Sequence, residues 1–199
     1  PEMSVDEDIT RRCMSGKPVM MVDAQVWSTD NKSVGTGADN TGELVLRAPW
    51  LTQSYFKNDD AGTELWENGY MHTQDIAYMT KEGYFKITDR LKDVIKSGGE
   101  WISSIDIENI AVGHPKVANA AAIGIYHPKW DERPLLVVQA APGETPSKED
   151  VLAQLEGKIA KWWTPDDVVF VDEIPLGATG KINKLALRNQ FKDYKLPTA

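Results

Sequence analysis

The hydrophobic pattern of this chain changes period once, near residue 91, and that change restricts the fold to two unlike parts. Before it, short apolar stretches alternate with polar residues at the period of two that half-buried strands require. Residues 19–27 form an apolar run with a β-branched bias, and 35–42 are dense in turn formers. Residues 42–48 set Leu44 and Leu46 against Glu43 and Arg47. Asn58 is placed to cap a short helix through Trp66. Residues 70–80 and 84–89 read as two strands joined by Lys81-Glu82-Gly83, with Gly where positive φ is needed. These elements predict a β-barrel-like or sandwich-like unit over 1–90.

Beyond residue 91 helical and strand periods alternate. Ser103 is placed to cap a helix through Val112, with Gly113 and Pro115 as stop signals. Residues 117–126 and 134–141 are apolar strand candidates. Ser147 caps a longer helix whose Val151, Leu152, Leu155 and Ile159 share one face. Residues 168–171 form a short strand, and Asn183 caps a last helix carrying Leu185, Leu187 and Phe191. The order helix–strand–strand–helix–strand–helix predicts a small α+β domain over 91–199. The expected boundary lies at residues 90–92.

Composition narrows the function classes. The chain carries 22 Lys+Arg against 30 Asp+Glu, a net charge of −8, which argues against a nucleic acid or an anionic membrane surface as partner. The 41% hydrophobic content excludes a disordered or low-complexity chain. Cys13 stands alone, so no internal disulfide forms, and a reducing, cytoplasmic compartment is the simplest expectation. No apolar run approaches the ~18 residues of a transmembrane helix. The opening Pro1-Glu2-Met3-Ser4 has neither initiator Met nor signal segment, so a processed chain or a piece of a longer one is expected. His72, His114 and His127 lack metal-ligand spacing, and no metal site is expected. Trp162-Trp163 reads as a core or domain contact.

Three segments could carry chemistry. The first runs from Asp89 to Ile102: four charges in five residues, then Ser97-Gly98-Gly99. Paired glycines permit a sharp turn or a close ligand approach, and a solvated hairpin explains the spacing equally well. In the second, Pro175 to Lys184, Lys181 follows a glycine-bearing loop and can meet a phosphate as a point charge. It is not a Walker loop, because Pro175 occupies the first Gly position and Ile182 replaces the Ser or Thr. On spacing alone, a strand-to-helix turn with a surface lysine is the simpler reading. The third is His72-Thr73-Gln74-Asp75, in which a strand-end Asp can accept from two ribose hydroxyls. Alone, a turn aspartate explains it.

Taken together, these segments resemble the C-terminal portion of AMP-forming acyl-CoA synthetases of the adenylate-forming superfamily. Gly42-Glu43-Leu44 with Ser54-Tyr55-Phe56 is similar to the family's Gly-Glu-Leu…Gly-Tyr segment, and His72-Thr73-Gln74-Asp75 to its Thr-Gly-Asp motif. Asp89 to Glu108 resembles the family's hinge and glycine loop, and Pro175 to Lys184 its terminal lysine motif. The order and gaps agree over about 42–184. The run 92–104 is most similar to bacterial medium- and long-chain fatty-acyl-CoA ligases.

The resemblance implies two steps: a carboxylate attacks the α-phosphate of ATP, then the thiol of coenzyme A displaces AMP after the small domain rotates. Carried onto this chain, Asp75 and Arg90 bind the ribose and Lys92 is the hinge. Lys181 serves adenylation. Gly98, Gly99 and Glu100 line the pantetheine tunnel with Trp101 beside them, and Lys96 is a further second-step candidate. Gln74 departs from the family's Gly. The family's phosphate loop and adenine segment are absent, so the resemblance implies that 1–90 is the last subdomain of a larger adenylating domain. Residues 91–199 are then its mobile small domain, and the magnesium ligands lie in the missing part. Such a chain is expected to be inactive alone; an oligomer is possible. Two alternatives stay open: an adenylating domain that passes its acyl group to a carrier protein, and a non-catalytic α+β interaction module. The intact Asp75, Arg90, Lys92 and Lys181 argue against the second.

Overall fold

The computed structural model describes residues 4–199 and divides the chain into two compact units after Lys92. Residues 1–3, which open the chain, lie outside the described residues.

The first unit begins with α1 (Val5–Arg12), which the sequence reading did not include. Its signal was present as Ser4-x-x-Glu7. The Ser4 hydroxyl accepts the Glu7 N–H while the Glu7 carboxylate accepts the Ser4 N–H, a closed capping box. Then follow β1 (Asp23–Trp27), β2 (Gly42–Arg47), α2 (Asp59–Leu65), β3 (Trp66–Glu67), β4 (Tyr70–Met79) and β5 (Phe85–Arg90). Asn58 caps α2 as expected, its side chain accepting the Ala61 N–H. β1 starts at Asp23 rather than at residue 19, because Val19, Met20 and Met21 are exposed and Met21 turns at φ 69°. The strands form one curled, half-barrel antiparallel sheet in the order β1-β2-β4-β3, with β5 also on β4. Val26, Leu44, Ala77 and Phe85 form its core. The β2–β4 register slips between Glu43↔Ile76 and Val45↔His72, so Thr73, Gln74 and Asp75 together face only Leu44. That bulge falls on the motif read as a ribose site.

The second unit opens with a hairpin of β6 (Ile95–Ser97) and β7 (Glu100–Ile102), which the predicted helix-first order left out. It continues with α3 (Ser104–Val112), β8 (Val117–His127), β9 (Asp131–Ala140), α4 (Lys148–Leu155), a 3₁₀ turn at Lys161–Trp163, β10 (Asp167–Val171) and α5 (Lys184–Gln190). β9 is the hub: β10 joins it in parallel, β8 and β6 antiparallel. β8 and β9 are apolar without alternation because both faces are covered. Ala120, Ala122, Leu136 and Val138 pack with α3 and α4, whereas Ala121, Ile123, Leu135 and Val137 pack with Leu187 of α5 and with Leu196.

Ser103, Ser147 and Asn183 each accept the backbone N–H three residues on, as their positions predict. Two expectations need correction. The helix after Ser147 stops at Leu155, because Gly157 takes φ 72°; Ile159 lies beyond it but still packs on the same core. On α5 it is Leu187 that is buried, while Leu185 is exposed. Trp163 packs on the core and Trp162 is exposed. No helix among the described residues is long and apolar enough to cross a membrane.

Candidate functional site

In the first unit, Asp75 and Arg90 are partners across β4 and β5. Arg90 Nε donates to Asp75 Oδ1 at 2.7 Å, a charge-assisted bond. The Asp75 side chain is one-fifth exposed and the Arg90 guanidinium more than half, so the pair is open to a ligand. The bulge before it is pinned at several points. The Thr73 hydroxyl donates to the Leu44 carbonyl at 2.6 Å and accepts the Asp75 N–H at 3.2 Å. The Gln74 carbonyl accepts the Leu91 N–H at 2.8 Å. Gln74 itself sits at φ 62°, the left-handed region that a glycine enters without strain. The residue that departs from the family's Gly therefore keeps a glycine's conformation. His72, Gln74, Arg90 and Lys92 border a concavity of about 420 Å³. Lys92 is exposed and is the last residue of its unit. Spacing did not single out Glu43 or His72 as one group, because only the slipped register brings residue 43 against 72 and 74.

In the second unit, Ser97 pairs with Glu100, which leaves Gly98 and Gly99 as a two-residue turn at φ 60° and 87°. Two consecutive left-handed residues are what a type I′ hairpin demands. Gly98 has a second constraint: a Cβ there would lie 3.1 Å from the Trp130 ring, whereas one at Gly99 would meet nothing within 4 Å. The Gly98 N–H donates to the Trp130 carbonyl at 2.8 Å. Gly98, Glu100, Trp130 and Trp162 border a concavity of about 550 Å³. Trp101, which the resemblance puts beside the pantetheine tunnel, is not among the residues lining this concavity. Trp130 and Trp162, both more than two-fifths exposed, supply its aromatic surface. Arg133 on its floor is committed to structure: it pairs with Asp166 and donates to the Trp162 and Thr164 carbonyls. Lys96 is exposed on β6, and its backbone N–H donates to Glu132.

Lys181 lies in a tight loop between β10 and α5. Three backbone bonds close that loop: Gly177 N–H to Lys181 O at 2.7 Å, Gly180 N–H to Gly177 O at 2.9 Å and Asn183 N–H to Pro175 O at 2.8 Å. The Lys181 side chain is exposed and forms no ion pair among the described residues. Three residues on, Lys184 is buried, its Nζ 2.8 Å from Glu108 Oε1 and 2.5 Å from Ser104 Oγ. This buried ion pair ties the root of the lysine loop to α3, the helix entered directly from the glycine hairpin. No group of three His, Cys, Asp or Glu side chains among the described residues could hold a metal.

The AMP-binding enzyme C-terminal domain family matches residues 106–181, a stretch that ends on Lys181. A 3-methylmercaptopropionyl-CoA ligase from Ruegeria lacuscaerulensis is 48% identical over 192 residues, 96% of this chain and 35% of its own length. A long-chain-fatty-acid–CoA ligase from Thermus thermophilus is 45% identical over 194 residues, 96% of this chain and 36% of its own. The chain thus spans about a third of the length of these curated relatives. The crystal structure of ATP-bound MatB from Rhodopseudomonas palustris superposes with a TM-score of 0.81 at 28% identity, over 92% of this chain and 37% of that one. Residues 106–181 are an AMP-binding enzyme C-terminal domain, and over nearly its whole length the chain is similar to part of acyl-CoA ligases.

Proposed function

We propose that this chain is the part of an ATP-dependent carboxylate–CoA ligase that grips the ribose, supplies the adenylating lysine and guides the thiol. The carboxylate oxygen bonds to the α-phosphorus of ATP, and pyrophosphate leaves. The sulfur of coenzyme A then bonds to the acyl carbon, and AMP leaves. Negative charge builds between carboxylate and phosphate in the first step, and the exposed Lys181 ammonium neutralises it. Asp75 accepts from the ribose hydroxyls, with Arg90 holding the carboxylate in place. Gly98 and Gly99 keep a turn free of side chains where the slender pantetheine arm passes, with Glu100 at its edge. Lys96 is a second-step candidate, and Lys92 is the pivot between the two reactions.

The observation that supports this reading best is the rooting of two loops on one helix. The lysine loop is tied to α3 through Lys184, and the glycine hairpin runs directly into the same helix at its cap Ser103, so one compact unit carries the groups for both steps. Residues 1–90 are the last subdomain of a larger adenylating domain, and 91–199 a mobile domain. The two compact units that meet after Lys92 and the one-third coverage of the relatives support that reading. Magnesium accompanies ATP, and its ligands lie outside this chain. We place a fatty acid first among acyl substrates and the cytoplasm as the compartment. The test is AMP release by the full-length enzyme on a panel of carboxylates, with and without free coenzyme A. Release that requires both a fatty acid and coenzyme A is expected. Turnover with a carrier protein's thiol but not with free coenzyme A would overturn the reading.

A further inference from the structure

The bulge that presents Asp75 depends on a side chain that the reaction does not use. Glu43 on β2 spends both carboxylate oxygens on it: Oε1 accepts the Gln74 N–H at 2.9 Å and Oε2 meets His72 Nδ1 at 2.8 Å. The pair is well buried, with the Glu43 side chain 14% and the His72 side chain 8% exposed. His72 Nε2 has no partner among the described residues, so the ring takes its polar anchorage from Glu43. Gln74, at φ 62°, sits in a region that a side chain makes costly. Something must hold it there, and on the N–H side the holder is Glu43. Bulges next to functional residues commonly serve to aim a side chain, and here the next residue is Asp75.

We propose that Glu43 is a positioning residue for nucleotide binding: its carboxylate fixes Gln74 in the left-handed conformation and so directs Asp75 at the ribose. The proposal rests on the reading of Asp75 as a ribose contact. Without the Glu43 carboxylate, Gln74 can relax toward extended backbone, which rotates the following peptide and turns Asp75 away from Arg90. The same logic names a rescue. Glycine takes φ 62° unaided, so Gln74→Gly removes the need for Glu43.

The experiment measures kcat and the KM of each substrate in the full-length enzyme for Asp75→Ala, Glu43→Ala, Gln74→Gly and the Glu43→Ala/Gln74→Gly double variant. Glu43→Ala is expected to raise the KM for ATP about tenfold and to leave the KM for coenzyme A unchanged. The double variant is expected to return to within about twofold of Gln74→Gly, a non-additivity that general loss of stability does not produce. If Glu43→Ala does not fold, Glu43→Gln replaces it, with a smaller rise and the same recovery. An unchanged KM for ATP in the Glu43 variant beside a raised one in Asp75→Ala overturns this proposal alone. So does a double variant as impaired as the single. An unchanged KM for ATP in Asp75→Ala overturns the ribose reading and this proposal with it.

Discussion

Asp75 and Arg90 show how much a single side chain's chemistry is set by its register partner. Their 2.7 Å bond keeps the carboxylate aimed, while its exposure leaves room for a second set of donors. Hydrogen bonds to a charged acceptor contribute about 1.5–3 kcal/mol. Asp75→Ala is therefore expected to raise the KM for ATP roughly 10- to 150-fold. A 2′,3′-dideoxy analogue is the check: its KM should move much less, and an equal rise for both nucleotides would remove the ribose role. Lys184 gives a second prediction at this scale, on stability. Lys184→Met leaves Glu108 buried without its cation, and breaking such a pair typically costs about 3–5 kcal/mol. Denaturant unfolding should show that loss, and Lys184→Arg should recover most of it. Asp75 and Lys181 stand out in the sequence as candidates because they sit in short contiguous motifs. The contacts of Glu43 and Lys184 do not. Their partners lie 31 and 76 residues away and meet them only through a slipped register and a helix contact.

At the scale of elements, the glycine hairpin separates two reasons for having no side chain. Gly99 needs only the left-handed conformation, which Asn adopts readily. Gly99→Asn should change stability by no more than about 1 kcal/mol. Gly98→Asn should cost more, because its Cβ meets the Trp130 ring, and thermal unfolding of the two variants side by side decides this. Equal cost at both positions would mean that Trp130 yields freely. The start of β10 carries a pH dependence. Burial pushes the Asp167 carboxyl up, but bonds from Lys148, Tyr194 and the Val168 N–H bring it below its ordinary value. Its native value being the lower one, the stability it contributes is present above about pH 4 and is lost as pH falls further. Burial first, then the bond to Asp167, pushes the Tyr194 hydroxyl up to about 12. Stability should therefore also decline between about pH 10 and 12, as the unfolded chain ionises first. Asp167→Asn should flatten the acid limb and Tyr194→Phe the alkaline one. The starts of α2, α3, α4 and α5 were legible because each cap is a local bond. The end of α4 was not: the apolar period runs on to Ile159, and only the left-handed Gly157 shows that the chain has turned.

The whole molecule divides after Lys92, close to the place where hydrophobic periodicity changes. That change was legible because a sheet exposed on one face alternates, whereas β8 and β9, covered on both faces, do not. The hairpin at the start of the second unit was harder to read, since three-residue strands carry almost no period and the glycines fit a ligand loop as well as a turn. On the proposed reading, one unit carries separate groups for two consecutive reactions. Single-turnover assays of each half-reaction in the full-length enzyme test it most directly. Lys181→Ala should slow acyl-adenylate formation by about 10²–10³. Given preformed acyl-adenylate and coenzyme A, the same variant should make thioester at nearly the normal rate. Equal loss of both half-reactions would mean that Lys181 is not confined to the first reaction.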